Sequence, residues 1–164
     1  MLLKAKKNQS GFTIIELLIV IAVIAILALI TINQYQGVQA KARDTKRVTD
    51  ISNIKDKLEE YYNENSGYPN VVSVANLPGI DAETIKDPKG VEIANNSAVA
   101  SEAAALAVTE PSATGAQYKY IPFDDDSSCT NDCKGYVLMS FIERPTDTVA
   151  NPLIKKGANN PEIE

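Results

Sequence analysis

From Leu17 to Ile30 the chain carries no polar side chain, and the apolar run extends from Phe12 to Ile32 with only Thr13, Glu16 and Thr31 interrupting it. About 20 apolar residues cross a bilayer as a helix, because in hydrocarbon every backbone amide must bond within its own segment. Beyond this run the pattern changes. Val38, Ala42, Val48, Ile51, Ile54, Leu58 and Tyr62 recur at steps of three, four or six, as one face of an amphipathic helix does. Charges fill the other face, Lys55, Asp56, Glu59 and Glu60 among them. No proline lies between Phe12 and Tyr68, and Gly37 is the only glycine between Phe12 and Gly67. The pattern predicts one helix from Phe12 to Glu64, about 80 Å long at ~1.5 Å per residue. Asn65-Ser66-Gly67-Tyr68-Pro69 ends it, with Gly67 as the helix-stopping glycine and a proline behind it.

The remaining chain is weaker in pattern. Residues 91–117 are rich in Ala, Ser, Asn and Thr and read as a surface loop, with a short helix possible from Ser101 to Val108. Tyr118–Phe123 and Tyr136–Ile142 are β-prone and make an antiparallel pair, to be packed on the apolar face of the helix. A third strand is expected but not located. From Asn151 onward few apolar residues remain, and 151–164 reads as a flexible tail.

The residues before the apolar run give it a direction. Lys4, Lys6 and Lys7 are the only charges in residues 1–11, and such a basic flank holds an N-terminus in the cytoplasm with the bulk outside. A secretory signal would have a shorter apolar region ending in a small-residue cleavage site. Here the small residue, Gly11, lies between the charges and the apolar run. Cutting at Gly11–Phe12 removes the lysines, keeps the hydrophobic helix and creates an amine on Phe12. Glu16 is the odd residue of the span, since a carboxylate near a bilayer centre costs about 2.5–3.5 kcal/mol and is functional by default. Its expected partner is the Phe12 amine of a neighbouring subunit, which would set the stagger between subunits. The plain alternative is a carboxyl snorkelling to the headgroups.

Composition and charge exclude more than they add. A formal charge of -5 has the wrong sign for gripping phosphates, and no direct nucleic-acid site is evident. The basic cluster Lys41, Arg43, Lys46, Arg47 reads as a solvated or headgroup-facing helix surface. Absence of histidine removes His-based triads and His metal sites, and no Ser-x-x-Lys stretch stands in a strand-to-helix context, so no enzyme site is expected. The two cysteines, Cys129 and Cys133, read as one disulfide in an exported domain, closing a small ring that shapes a loop. Asp124, Asp125, Asp126 and Asp132 around them are weak calcium candidates, because Ca²⁺ takes six to eight oxygens; a solvated acidic turn is the favoured reading, and no cofactor is expected.

Gly11-Phe12-Thr13-Ile14-Ile15-Glu16-Leu17-Leu18-Ile19-Val20-Ile21-Ala22 resembles the class III leader and the cleavage-and-methylation motif of type IV pilins and type II secretion pseudopilins. Tyr61 to Pro69 and the Asp87-Pro88 stretch resemble later parts of the major subunits of that family. The resemblance implies cleavage after Gly11 by a prepilin peptidase, N-methylation of Phe12 and a subunit-docking role for Glu16. It also implies a homo-oligomeric helical filament, an inner-membrane assembly platform and membrane lipid as the environment before assembly. Ala25 and Asn33 stand where the family commonly has helix-breaking glycine and proline, so local melting of the helix is not implied. The expected fold is α+β and pilin-like: a long helix against a small antiparallel sheet. The layout is a leader (1–11), a transmembrane and filament-core helix (12–35), an amphipathic helix (36–65), a connecting region (66–117), a β region with the Cys129–Cys133 loop (118–150) and a tail (151–164). The single-pass chain would have its head outside the cytoplasm. Pilus and secretion pseudopilus both remain open at this stage, as does, remotely, a membrane-anchored enzyme or binding module.

Overall fold

The computed structural model describes residues 11–125 and 129–160, without the side chains of 30–34. The leader lysines, Asp126 and residues 161–164 therefore lie outside the described residues. The chain divides into two compact units, Met1–Gln39 and Ala40–Glu164. Helix α1 (Ile14–Asn65) runs through both, and Ala25 and Asn33 lie within it. The second unit, the head, adds β1 (Ala94–Asn95), α2 (Glu102–Leu106), β2 (Tyr118–Phe123), β3 (Gly135–Ser140) and β4 (Leu153–Lys156).

In the first unit the described apolar side chains are exposed. Phe12 is 94% exposed, and large apolar side chains from Ile14 to Leu29 are all at least half exposed. Among the described residues no helix is long and apolar enough to cross a membrane. The span expected over 12–35 includes residues 30–34, whose side chains lie outside that description.

In the head the stripe on α1 becomes a core. Ile51, Ile54 and Leu58 are fully buried and pack with Tyr68, Tyr118, Tyr120, Tyr136 and Leu138. The sheet order is β1-β2-β3-β4. β2 and β3 pair antiparallel with Tyr118 opposite Ser140 and Phe123 opposite Gly135. β1 joins β2 in parallel, so the sheet is mixed where a purely antiparallel one was expected. Side chains alternate across a strand. Tyr118, Tyr120, Tyr136 and Leu138 therefore face α1, while Ile121, Phe123, Val137 and Met139 form a second cluster with Ala105 of α2.

Residues 91–117 are thus no mere surface loop. Ile93 and Ala105 are buried, β1 lies in the sheet, and α2 covers its second face. The reason is that β3 is apolar on both faces and needs two covers. Nor is 151–164 a tail as far as Asn160. β4 pairs antiparallel with β3, Lys155 opposite Leu138, and supplies the third antiparallel strand. Asn160 then closes the edge: its Oδ1 accepts from Tyr136 N at 3.1 Å and its Nδ2 donates to Tyr136 O at 3.1 Å. Gly157 permits this fold-back, because a Cβ there would stand 2.8 Å from the Tyr68 hydroxyl. The signals of this segment are backbone and amide bonds rather than apolar burial, which is why composition misses it.

The end of α1 also differs from expectation in one residue. The left-handed position after Asn65 is Ser66, at φ 61, with its N–H bonded to Tyr62 O at 2.7 Å. Gly67 serves another need: a Cβ there would lie 2.6 Å from Asp132 Cα. That close approach lets Tyr68 and Cys133 exchange backbone hydrogen bonds, Tyr68 N to Cys133 O at 2.9 Å and Cys133 N to Tyr68 O at 3.0 Å. Cys129 and Cys133 are joined as a disulfide, so the small ring is tied to the end of α1.

The buried tyrosines are satisfied one by one, as buried hydroxyls must be. Tyr118 donates to Asp50 at 2.8 Å and Tyr120 to Pro69 O at 2.6 Å. Tyr68 and Tyr136 donate to opposite oxygens of Glu59, each at 3.0 Å. Burial pushes the Tyr68 hydroxyl up to about 12, partly offset by the hydrogen bond from Asn159. Glu59 was expected on the charged outer face; it instead gathers tyrosines from two other segments, plus Ala158 N at 3.0 Å.

The basic cluster is the largest departure from expectation. Arg47 is fully buried. Its guanidinium donates to Asp44 at 2.6 Å, Gln117 at 2.6 Å and Glu143 at 2.7 Å. Arg43 grips the same Glu143 through two bonds of 2.8 and 2.6 Å, and Lys46 pairs with Asp50 at 2.5 Å. Asp44 accepts the backbone N–H groups of Glu143 and Arg144, each at 2.9 Å. So both arginines tie α1 to Glu143, and Lys46 donates in addition to Glu83 O at 3.2 Å and Lys86 O at 3.3 Å. The signal was available: Arg47 lies four residues before Ile51, on the apolar stripe itself.

This clamp makes stability depend on acid. The bonds from Arg43 hold Glu143 well below its ordinary 4.5, at about 2, against the opposing effect of burial, with Arg47 adding to the lowering. A carboxylate lowered on folding stabilises fully above its unfolded value, less as pH falls below that value, and not at all below its folded value. Glu143→Gln is therefore expected to remove up to ~3 kcal/mol at neutral pH and to flatten the loss of stability between about pH 4.5 and 2, as read by denaturant unfolding at a series of pH values. An unchanged acid limb in that variant would show that other carboxylates carry it.

Candidate functional site

The site begins at the first turn of α1. Thr13 is the residue before the helix, and Thr13-Ile14-Ile15-Glu16 has the spacing of a capping box. Its geometry is reciprocal. Glu16 Oε2 accepts from Thr13 N at 2.7 Å and from the Thr13 hydroxyl at 2.6 Å, and Glu16 N donates back to Thr13 Oγ1 at 3.3 Å. The first turn of a helix has unbonded N–H groups and a partial positive charge, which an acidic side chain there satisfies. The sequence reading missed this box, although Thr and Glu three apart at the start of an apolar run is its ordinary signal.

Glu16 therefore has an occupation inside its own chain. The capped arrangement holds the carboxylate beside residue 13, one residue from the Phe12 nitrogen. Phe12 and Gly11 lie outside the helix, both exposed, and the Gly11–Phe12 bond is in non-helical backbone. A Cβ at Gly11 would meet nothing within 4 Å. Nothing in the packing of the described residues requires glycine there. Gly11, Phe12 and Glu16 thus lie on one short exposed stretch at the start of the exposed apolar side chains of Ile14 to Leu29.

The other candidates fall elsewhere. Asp124 and Asp125 both face Lys134, which pairs with Asp125 and lies 3.6 Å from Asp124. Asp132 accepts from Thr130 N at 3.4 Å. Among the described residues no group of three or more His, Cys, Asp or Glu is placed to hold a metal ion. A lysine inserted among the acids supplies the positive charge that a cation would otherwise bring.

Over its N-terminal part, where the capped apolar helix lies, the chain is similar to fimbrial proteins and to type II secretion core proteins. Residues 6–32 match the prokaryotic N-terminal methylation motif. A fimbrial protein of Pseudomonas aeruginosa is 49% identical over 53 residues, covering 32% of this chain and 34% of that protein. The type II secretion system core protein G of Aeromonas hydrophila is 38% identical over 64 residues, 39% of this chain and 45% of its own length. The corresponding core protein G of Escherichia coli K12 is 30% identical over 92 residues, 52% of this chain and 63% of its length. The chain thus spans between about a third and under two thirds of these curated relatives. No solved structure gives a significant match.

Proposed function

We propose that this chain is a structural subunit of a type IV pilus-like filament. It is inserted in the membrane as a precursor with its N-terminus in the cytoplasm, cut after Gly11 by a prepilin peptidase, N-methylated on Phe12, and polymerised through α1 by an inner-membrane assembly platform. The observation that carries this is the exposed apolar surface from Phe12 to Leu29. Contiguous apolar surface beyond a few hundred Å² marks an interaction site, here first lipid and then neighbouring copies of the same helix. Glu16 sits at its start, where a neighbour's Phe12 amine would compete with Thr13 for the carboxylate.

That competition supplies a test. Thr13→Val removes the hydroxyl of the cap, worth about 1 kcal/mol. Glu16→Ala removes both cap and docking charge. Electron microscopy of sheared fibres is expected to find filaments from Thr13→Val and none from Glu16→Ala. Equal loss in both would assign Glu16 to capping alone.

The second reading, a pseudopilus of a secretion or competence system, is favoured by the matches to core protein G. The two are separated by neighbouring genes: a retraction ATPase points to a pilus, a secretin with secretion partners to a pseudopilus.

A further inference from the structure

Three side chains outside both cores meet beside β4. Glu102 is buried although charged, and its two oxygens are taken by different partners. Oε1 accepts from Lys156 Nζ, and Oε2 accepts from Asn160 Nδ2 at 3.0 Å. One carboxylate thus holds an amine and a carboxamide side by side. Lys156 is the last residue of β4 and Asn160 follows four residues later, so the backbone also keeps them close.

The carboxamide is fixed in its own plane. Its Oδ1 accepts from Tyr136 N at 3.1 Å, and its Nδ2 donates to Tyr136 O at 3.1 Å. A Cβ at Gly135 would stand 2.6 Å from that Oδ1, and a Cβ at Gly157 would stand 2.5 Å from it. Two glycines therefore let the amide oxygen come close to the backbone. An ordinary ion pair needs only Glu102 and Lys156. Here the amide oxygen also has an N–H donor, and one carboxylate reaches both the amine that would attack and the nitrogen that would leave.

We infer that Lys156 and Asn160 become joined by an isopeptide bond, with Glu102 as general base and general acid. Glu102 takes a proton from the Lys156 ammonium along the hydrogen bond they share. The freed Nζ lone pair adds to Asn160 Cγ, and the Tyr136 N–H holds the charge that develops on Oδ1. Glu102 passes its proton to Nδ2 and takes the next one from Nζ. The Cγ–Nδ2 bond then breaks, and ammonia leaves with that last proton as ammonium, returning Glu102 to its carboxylate. One amide replaces another, so no oxidant or other co-reactant is needed. The Glu102 side chain is 8% exposed and that of Lys156 44%, so the resting pair is ionic and the reaction slow. Fixed proximity of amine and amide is what lets it proceed. The bond ties Asn160, which closes the β3 edge, to β4, a strand with no buried side chain and therefore prone to fray.

The bond forms within one folded head, so its test does not depend on filaments. The full chain, purified in detergent and aged in the folded state, is unfolded, digested with trypsin and measured by mass spectrometry. The expected product is a peptide beginning at Lys156 that resists cleavage before Gly157 and is lighter than its linear sequence by one ammonia. Backbone breaks between 156 and 160 should release no fragments from it. Glu102→Gln can keep the hydrogen bonds but takes no proton, and is expected to slow bond formation at least about a hundredfold. Lys156→Arg keeps the ion pair and is expected to give no such product. A linear peptide from the aged wild-type chain overturns the inference, whatever the variants do. Ammonia lost while the Lys156–Gly157 bond stays cleavable, or lost equally from Lys156→Arg, places the change in an asparagine alone and also overturns it. An unchanged rate in folded Glu102→Gln removes Glu102 from the chemistry and overturns the assigned mechanism.

Discussion

Gly11→Arg is expected to leave the full-length chain in the membrane and to abolish filaments. The substitution is clean because this chain does not need the glycine: its Cβ position is open, its backbone is not left-handed, and it precedes α1. On the proposed reading, whatever the variant loses it loses through the peptidase's recognition of the bond. A bulky cation at the residue before the scissile peptide is expected to slow cleavage at least a hundredfold, which ~2.7 kcal/mol suffices to do. In the proposed topology an uncut chain would keep Lys4, Lys6 and Lys7 on the cytoplasmic side, and its Phe12 would offer no amine to a neighbour's Glu16. In that state Glu16 rests in its capping box with Thr13. Trimming would then do two things: free the N-terminus from its charged anchor, and create the one group able to draw Glu16 from its own cap. Mass spectrometry of the N-terminus and microscopy of sheared fibres check both. Normal fibres built of uncut chains would overturn the proposal.

The second large effect concerns the head. Arg47→Met should cost the head about 3–5 kcal/mol, because it removes the shared cation and leaves two carboxylates in a poorly solvated place. Arg47 is fully buried, Asp44 nearly so, and Glu143 is about one-fifth exposed. Gln117 loses both its bonds from the guanidinium as well. Arg47→Lys keeps charge but cannot present a planar fork to three acceptors, so an intermediate loss is expected. Unfolding of the detergent-solubilised chain by urea, followed through tyrosine emission, measures both. A loss below ~1 kcal/mol for Arg47→Met would place Arg47 among ordinary surface ion pairs, whose median worth is that small. Since Glu143 is shared by Arg43 and Arg47, the effects of Arg47→Met and Glu143→Gln should not add.

Together these features separate the molecule's two tasks. The N-terminal unit keeps its apolar surface uncovered and its only acid parked in a cap. The head closes two cores on a four-stranded sheet and locks α1 to it with ions and tyrosine hydroxyls. The proposed filament subunit would need both: a helix that is stable without a partner yet adheres to one, and a head that does not unfold when the helix changes surroundings.

What the sequence determined by itself was whatever depends on neighbours along the chain. The apolar run within one helix, the stripe through Ile51, Ile54 and Leu58, and the β2–β3 pair are all local or periodic, and each is found where the pattern expects it in the described residues. Tertiary structure decided the rest. Arg47, read as solvated, is buried because Glu143 and Gln117 arrive from 96 and 70 residues away to receive it. Glu59 faces inward because tyrosines from two other segments converge on it. Residues 91–117 and 153–160 hold shape because β3 is apolar on both faces and needs a cover and an edge. Charges and amides carry no periodic signature of burial; their cost depends on whether a partner is within reach, and only the folded chain brings that partner. For Glu16 the sequence named the residue and its expected partner, and the structure added its present one, Thr13, three residues away.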